Sequence, residues 1–347
     1  MTKRNSDGLI RGLARVYTRL FDGRFGFFVL AGAPTVLFAL AVLGSLLEGG
    51  SIPVAIVLVA LSAAMLYGLR IEWDRLLADA DPDISMPSQG IRSVVAVVVG
   101  AVVTLAITAE FGVSSIVAAG ITAILGALVD RDDAVAIYCG AFVGMTSPDL
   151  FTTYAQAILA GFLAGGVFAL CRPVFHGIGG KLGTTAFVAA TAVVALTAAE
   201  FHSDPLPGLA TGLLIVSYSI VGAVVTYVLS VRLEWGPVIA SGTVGVVGGL
   251  SMPVLHPTVG WMLAAAVFCA SFVGMALEER LPGIGRIGTA GLVAGVVFVY
   301  TTPYVGGSGG KLGTIAFGSC LAVVGLDAWL AGRRVSRTGS ASSPAEG

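Results

Sequence analysis

Charge is what this chain lacks most. Only 11% of its 347 residues are Asp, Glu, Lys or Arg, whereas a soluble domain carries about 25%. So few charges cannot cover a water-facing surface, and lipid must solvate most of the molecule. Cysteine is scarce too. Cys139, Cys171, Cys269 and Cys320 lie within or at the end of apolar segments and form no CxxC pair, so neither a disulfide framework nor a zinc site is indicated. The histidines His176, His202 and His256 stand singly near segment ends, which suits an interface rather than a metal. There is no nucleophile elbow and no cluster of His, Asp and Glu, so neither an enzyme nor a bound cofactor is expected. A formal net charge of −1 gives no footprint for nucleic acid.

What the chain has is apolar length. It is 56% hydrophobic with 48 glycines, and its mean hydropathy is +0.95. The runs are too long and too unalternating for barrel strands. Glycine and alanine suit close helix approach in lipid, where no hydrophobic drive holds helices together. The sequence therefore predicts an all-α membrane protein. Twelve apolar segments are read as spans at 26–47, 52–70, 92–109, 113–129, 134–148, 154–172, 183–200, 208–231, 237–255, 258–277, 286–304 and 312–332. Several fall short of the roughly 20 residues an untilted span needs, and those in 113–148 are the weakest.

Residues 8–22 place Leu9, Leu13, Val16 and Leu20 on one helical face and Arg11, Arg15 and Arg19 on another. This reads as a basic amphipathic helix on the membrane surface, within an N-terminal unit 1–25. A charged flank to the first span is an equal account. The apolar stretch that follows is too long for a signal peptide. The tail 333–347, rich in Ser, Arg and Gly, is expected to be disordered.

Charge tests the count. With the N-terminus inside, eighteen of the nineteen basic residues fall on the inner side of twelve spans, and only Lys311 falls outside. This places the protein in the plasma membrane with both termini cytoplasmic.

The chain repeats itself. CGAFVGM at 139–145 returns as CASFVGM at 269–275, and GGKLGTTAF at 179–187 returns as GGKLGTIAF at 309–317. Aligned without gaps, 139–187 and 269–317 share 21 of 49 positions, where chance in this composition gives about one in ten. Upstream, Glu110-Phe111-Gly112 resembles Glu234-Trp235-Gly236. A rival match, Arg70-Ile71-Glu72-Trp73 with Arg232-Leu233-Glu234-Trp235, gives a different parity. On the first alignment the units are a leading pair of helices (26–73), repeat 1 (91–200) and repeat 2 (208–332), each repeat with five helices. Five is odd, so the copies enter the membrane from opposite sides. Lys181 inside and Lys311 outside express the same inversion.

Inverted repeats suit alternating access, with the solute held near the midplane between the halves. Two duplicated features are candidate sites. One is the Pro-Gly-Lys-Leu-Gly-Thr break, with Gly180, Lys181 and Thr184 in one copy and Gly310, Lys311 and Thr314 in the other. Pro stops the preceding helix, Thr184 or Thr314 could cap the next, and amides beside a lysine would attract an anion. A plain glycine-rich connection with a snorkelling lysine is the simpler account. The other is the Gly/Ser-rich pair 112–129 and 236–255, where Ser115 and Ser241 could show hydroxyls to a cavity. Packing through small residues explains it equally. The repeated FVGM reads as a packing seam.

Carboxylates sit near span ends, which argues against a proton antiporter built on a buried acid. The function expected is therefore a secondary transporter or facilitator of a small solute, anionic or neutral. A passive channel on the same scaffold is the alternative, and a membrane enzyme or scaffold is weaker. A homo-oligomer is compatible with it. A midplane cavity bearing Lys181 or Lys311 and helix starts would support an anion, and one lined by Ala, Gly and Ser a neutral solute. The five-plus-five layout is similar in architecture alone to amino-acid/sodium symporters and urea channels. No motif of either is present, so no residue role is carried over.

Overall fold

The computed structural model describes residues 23–48, 51–78 and 87–340. The helix expected at 8–22 lies outside them. The described residues form twelve α-helices. α1 (Arg24–Leu47) and α2 (Ile52–Ala78) make a leading hairpin. α3 (Pro87–Phe111), α4 (Ser115–Val129), α5 (Ala134–Gly144), α6 (Tyr154–Leu170) and α7 (Lys181–Leu196) follow. α8 (Leu209–Tyr227) ends in a π turn at Val228–Arg232. α9 (Pro237–Leu255), α10 (Gly260–Val273), α11 (Gly283–Thr301) and α12 (Lys311–Ser340) complete the order.

The molecule is apolar outside and small inside. Val129 and Leu209 are 84% and 82% exposed, while the helix contacts are made by Ala and Gly. Several buried threonines satisfy themselves within their own helices. The hydroxyls of Thr122, Thr226 and Thr301 each donate to the carbonyl four residues back, as a setting without water requires. This is a multi-pass, membrane-embedded helical fold.

Twelve crossings were expected. Seven helices are long and apolar enough to cross: α1, α2, α3, α8 with its π turn, α9, α11 and α12. The other five, α4, α5, α6, α7 and α10, are shorter. At 1.5 Å per residue α5 reaches about 16 Å, roughly half the hydrocarbon core. Its burial explains this. Ala134, Tyr138, Cys139, Phe142 and Gly144 are all enclosed by protein, and a helix that meets no lipid need not match lipid thickness. α10 is enclosed in the same way. At the C-terminus α12 runs past the expected boundary at 333 to Ser340, because extending a helix costs far less than starting one.

Residues matched by the repeat make matched contacts. α3 packs on α5 and α6 as α8 packs on α10 and α11. Gly144 lies against the Ala101 carbonyl, and Gly274 against that of Ala223. Gly165 abuts Val94, and Gly295 abuts Val216. The upstream match at Glu110 and Glu234 also shares local geometry. Gly112 and Gly236, the last residue of each, both have positive φ and precede α4 and α9. The rival at Glu72 lies inside α2.

Where the copies touch, contacts are returned. A Cβ on Gly183 would stand 2.6 Å from Gly313 Cα, and one on Gly313 would stand 2.6 Å from Gly183 Cα. A Cβ on Gly180 would stand 2.5 Å from Phe317 N, and one on Gly310 would stand 2.5 Å from Phe187 N. The register of α7 on α12 runs backward, and so does that of α4 on α9, where Gly120 meets Gly242 and Val246 while Val117 meets Gly249. Both helix pairs are antiparallel. The leading hairpin closes against this body, with α2 on α12 through Gly68 and Gly325.

Gly183→Ala is expected to lower the thermal midpoint of the detergent-solubilised protein by several degrees, since backbone on the far side blocks the added methyl and overpacking costs about 1–3 kcal/mol. Gly166→Ala, where nothing stands within 4 Å, should leave the midpoint unchanged or raise it. Equal midpoints for the two variants would show that the α7–α12 contact carries no such load.

Candidate functional site

Each break is held by its own lysine. Pro173 and Pro303 follow α6 and α11, and the chain then turns through glycines to start α7 and α12. Gly180 and Gly310 both take φ 83, a left-handed conformation that L side chains rarely adopt. The Lys181 ammonium donates to the carbonyls of Arg172, at 3.4 Å, and Val174. The Lys311 ammonium donates to those of Thr301, at 2.7 Å, and Tyr304. These carbonyls lie where the preceding helix has ended. Thr184 and Thr314 do not cap the next helix as expected. They sit one turn inside it, and their hydroxyls donate back to Gly180 O and Gly310 O.

The short helices cross beside the breaks. Cys139 Sγ donates to Leu182 O and Cys269 Sγ to Leu312 O. Ser147 N donates to Gly307 O as Leu277 N donates to Gly177 O. Phe142 of α5 and Phe272 of α10 meet edge to face at 4.8 Å between ring centroids. Tyr138 faces Phe272 at 6.3 Å, and its counterpart Phe268 faces Phe142 at 6.2 Å. The repeated FVGM is thus the seam read from the sequence. Its phenylalanines were not singled out, although their duplication was the available signal.

Two cavities flank this aromatic pair. One, about 440 Å³, is lined by Gly177–Gly183, Phe168, Arg172, His176, Asp132, Asp133 and the start of α9 at Pro237 and Val238. The other, about 330 Å³, is lined by Gly306–Gly313, Phe298, Thr302, Trp261, Asp204 and the start of α4 at Ser114–Ile116. Phe142 and Phe272 line both. We call them the Lys181 cavity and the Lys311 cavity.

Of the residues singled out from the sequence, Gly180 and Lys181 line the first cavity, and Gly310, Lys311 and Ser115 the second. Ser241 is fully buried, and its hydroxyl shares hydrogen bonds with those of Tyr138 and Ser271, at 2.8 Å each. The cavities bear both lysines and both helix starts, so the condition set for an anion is met in composition. The ammonium groups, however, are engaged with carbonyls. Charge also balances in each lining, with Asp132 and Asp133 against Arg172 and Lys181, and Asp204 against Lys311. Asp133 is further paired with Arg92. The same guanidinium hydrogen-bonds Asp130 and holds its carboxyl below the usual carboxylate range.

The mouths are fastened differently. The Gly306 turn pairs with the linker between repeats, where His202 and Gly306 exchange backbone hydrogen bonds at 3.1 and 2.9 Å. At the Lys181 end Arg280 donates to His176 O at 2.7 Å and to Glu72 at 2.6 Å. Glu72 also accepts from Arg75. It is only 4% exposed, because α2 continues past the end expected at residue 70. This buried carboxylate lies inside the rival match Arg70-Ile71-Glu72-Trp73. Among the described residues no three His, Cys, Asp or Glu side chains gather as metal ligands would.

Lys311→Met keeps the stem and removes both carbonyl bonds, each worth about 1.5–3 kcal/mol when one partner is charged. A marked drop in the thermal midpoint is expected, measured by dye-based unfolding in detergent. A midpoint equal to that of the wild type would mean the lysine does not hold the break. Comparison with protein-family models, curated proteins and solved structures finds no match to this chain.

Proposed function

We propose that the protein moves a small solute across the membrane, as a secondary transporter or facilitator whose two inverted repeats alternate access around a shared centre. The observation that carries this reading is the pair of cavities, one built by each copy of the repeat, meeting at a single aromatic contact. The antiparallel register of α4 on α9 and of α7 on α12 supports inversion. When corresponding helices that run across the bilayer pack antiparallel about a two-fold axis, that axis lies in the membrane plane. Rocking one repeat against the other would then exchange the roles of the cavities. The Arg172 end is the cytoplasmic side in this reading, with the termini beside it in the plasma membrane.

The aromatic pair also filters. Moving an ion from water into an apolar site costs on the order of 20 kcal/mol by an idealised Born estimate, and still several after relaxation. A neutral hydroxyl or amide costs about 1–3 kcal/mol on protein scales. The rings therefore discriminate against charge far more than against polarity.

A passive channel is the second reading. What favours it is that both cavities are present in one conformation and share Phe142 and Phe272 in their linings. Saturation of flux with solute concentration separates the two.

Two measurements bear on the proposal. In intact cells, a cysteine at the exposed Arg131 and one at the exposed Ser203 should react with impermeant thiol reagents from opposite sides of the membrane. Reaction from one side would end the inverted reading. In proteoliposomes, Phe142→Leu should raise solute flux several-fold by thinning the barrier. Unchanged flux in a folded variant would place the pathway elsewhere.

A further inference from the structure

The two cavities are counterparts, but their chemistry is not the same. Ser308 occupies the position in the Lys311 cavity that Ile178 holds in the Lys181 cavity. Thr302 likewise stands where Arg172 does. Hydroxyl residues therefore gather on one side of the aromatic pair. The Thr302 hydroxyl is already used, since it donates to Phe298 O at 3.0 Å. The Ser308 hydroxyl is not. Ser308 is 8% exposed, and its Oγ is the one buried side-chain oxygen or nitrogen among the described residues without a hydrogen-bond partner. A buried polar group left unpaired is costly, and native folds seldom tolerate one without a reason.

We infer that Ser308 is the hydrogen-bonding group of a subsite for a small neutral solute, reached from the Lys311 cavity beside the Phe142–Phe272 contact. The inference rests on the transport reading above and specifies its substrate class. Three features argue against a charged ligand, the first two against an anion and the third against an ion of either sign. The Lys311 ammonium, the one cation in the lining, is held by the Thr301 and Tyr304 carbonyls. Asp204 lines the same cavity and would repel an anion. Beyond the subsite stand two rings that an ion cannot cross cheaply. A neutral solute with a carbonyl or hydroxyl oxygen meets none of these penalties. It would accept from or donate to Ser308 Oγ and replace one of the water contacts it loses on entry. At the matched position Ile178 offers no hydroxyl, so the two directions of approach are unequal.

The test uses the full-length protein in proteoliposomes, with stopped-flow light scattering for glycerol, urea and acetamide and tracer uptake for nitrate, formate and chloride. The wild type should accelerate at least one neutral solute over empty liposomes and none of the anions. Ser308→Ala should slow that flux about five- to tenfold, the effect of losing one hydrogen bond. Ser308→Thr should restore it, and Ile178→Ser should retain or raise it. Anion flux without neutral flux overturns the inference and leaves the transport reading standing. Neutral flux that Ser308→Ala leaves untouched removes the subsite alone. No acceleration of any solute by folded protein defeats the transport reading, and the inference with it.

Discussion

In lipid, two pieces of backbone can be held together only by coming very close. Water supplies no drive between apolar helices there, so association depends on van der Waals contact over short distances and on the few polar bonds that survive. The centre of this molecule is built on that constraint. Gly183 and Gly313 leave no room for a Cβ on either side, and Gly180 and Gly310 sit against the backbone of Phe317 and Phe187. The same economy recurs at Gly120 and Gly242, and at Gly68 beneath the Leu321 carbonyl. Because these contacts join backbone to backbone, the interface cannot adjust by changing rotamers. It keeps its register or moves as a block, which suits a body expected to rock.

The breaks follow from the same constraint. A helix that stops inside protein leaves carbonyls without partners, and without water each is expensive. Lys181 and Lys311 answer this by delivering an ammonium to the orphaned carbonyls of the helix that has just ended. That gives the lysines a structural role in which their charge is offset where it stands. The cavities beside them can then be lined by a lysine without acting as an anion trap.

Much of the architecture was legible in the sequence because it was written twice. The FVGM and GGKLGT copies make Phe142 the counterpart of Phe272 and Gly180 that of Gly310 by alignment alone, and composition alone demands lipid. What the sequence hid has physical reasons. Hydropathy does not report how much of an apolar helix is wrapped in protein, so the shortness of α5 and α10 could not be read from it. Ser241 resembled a cavity hydroxyl, yet its partners Tyr138 and Ser271 come from elsewhere in the chain, and no local pattern announces them. The burial of Glu72 could not be read locally, because Arg280, far off in sequence, supplies the charge that pairs with it.

The asymmetries are the more informative part of the duplication. Backbone contacts at the centre match residue for residue, which is what shared geometry requires. The side chains that face the cavities have diverged, with Ser308 against Ile178 and Thr302 against Arg172. The fastenings of the mouths have diverged too, one through the His202 linker and the other through Arg280 and Glu72. A symmetric scaffold with identical linings would treat the two sides of the membrane alike. On the transport reading proposed above, preserved packing with altered linings and latches would let two end states differ in energy while the motion between them stayed the same. The latch at the Arg280 end ties the leading hairpin to the Lys181 mouth through an ion pair, while at the other break α1 meets Tyr300 and Tyr304 through the close approach of Gly44.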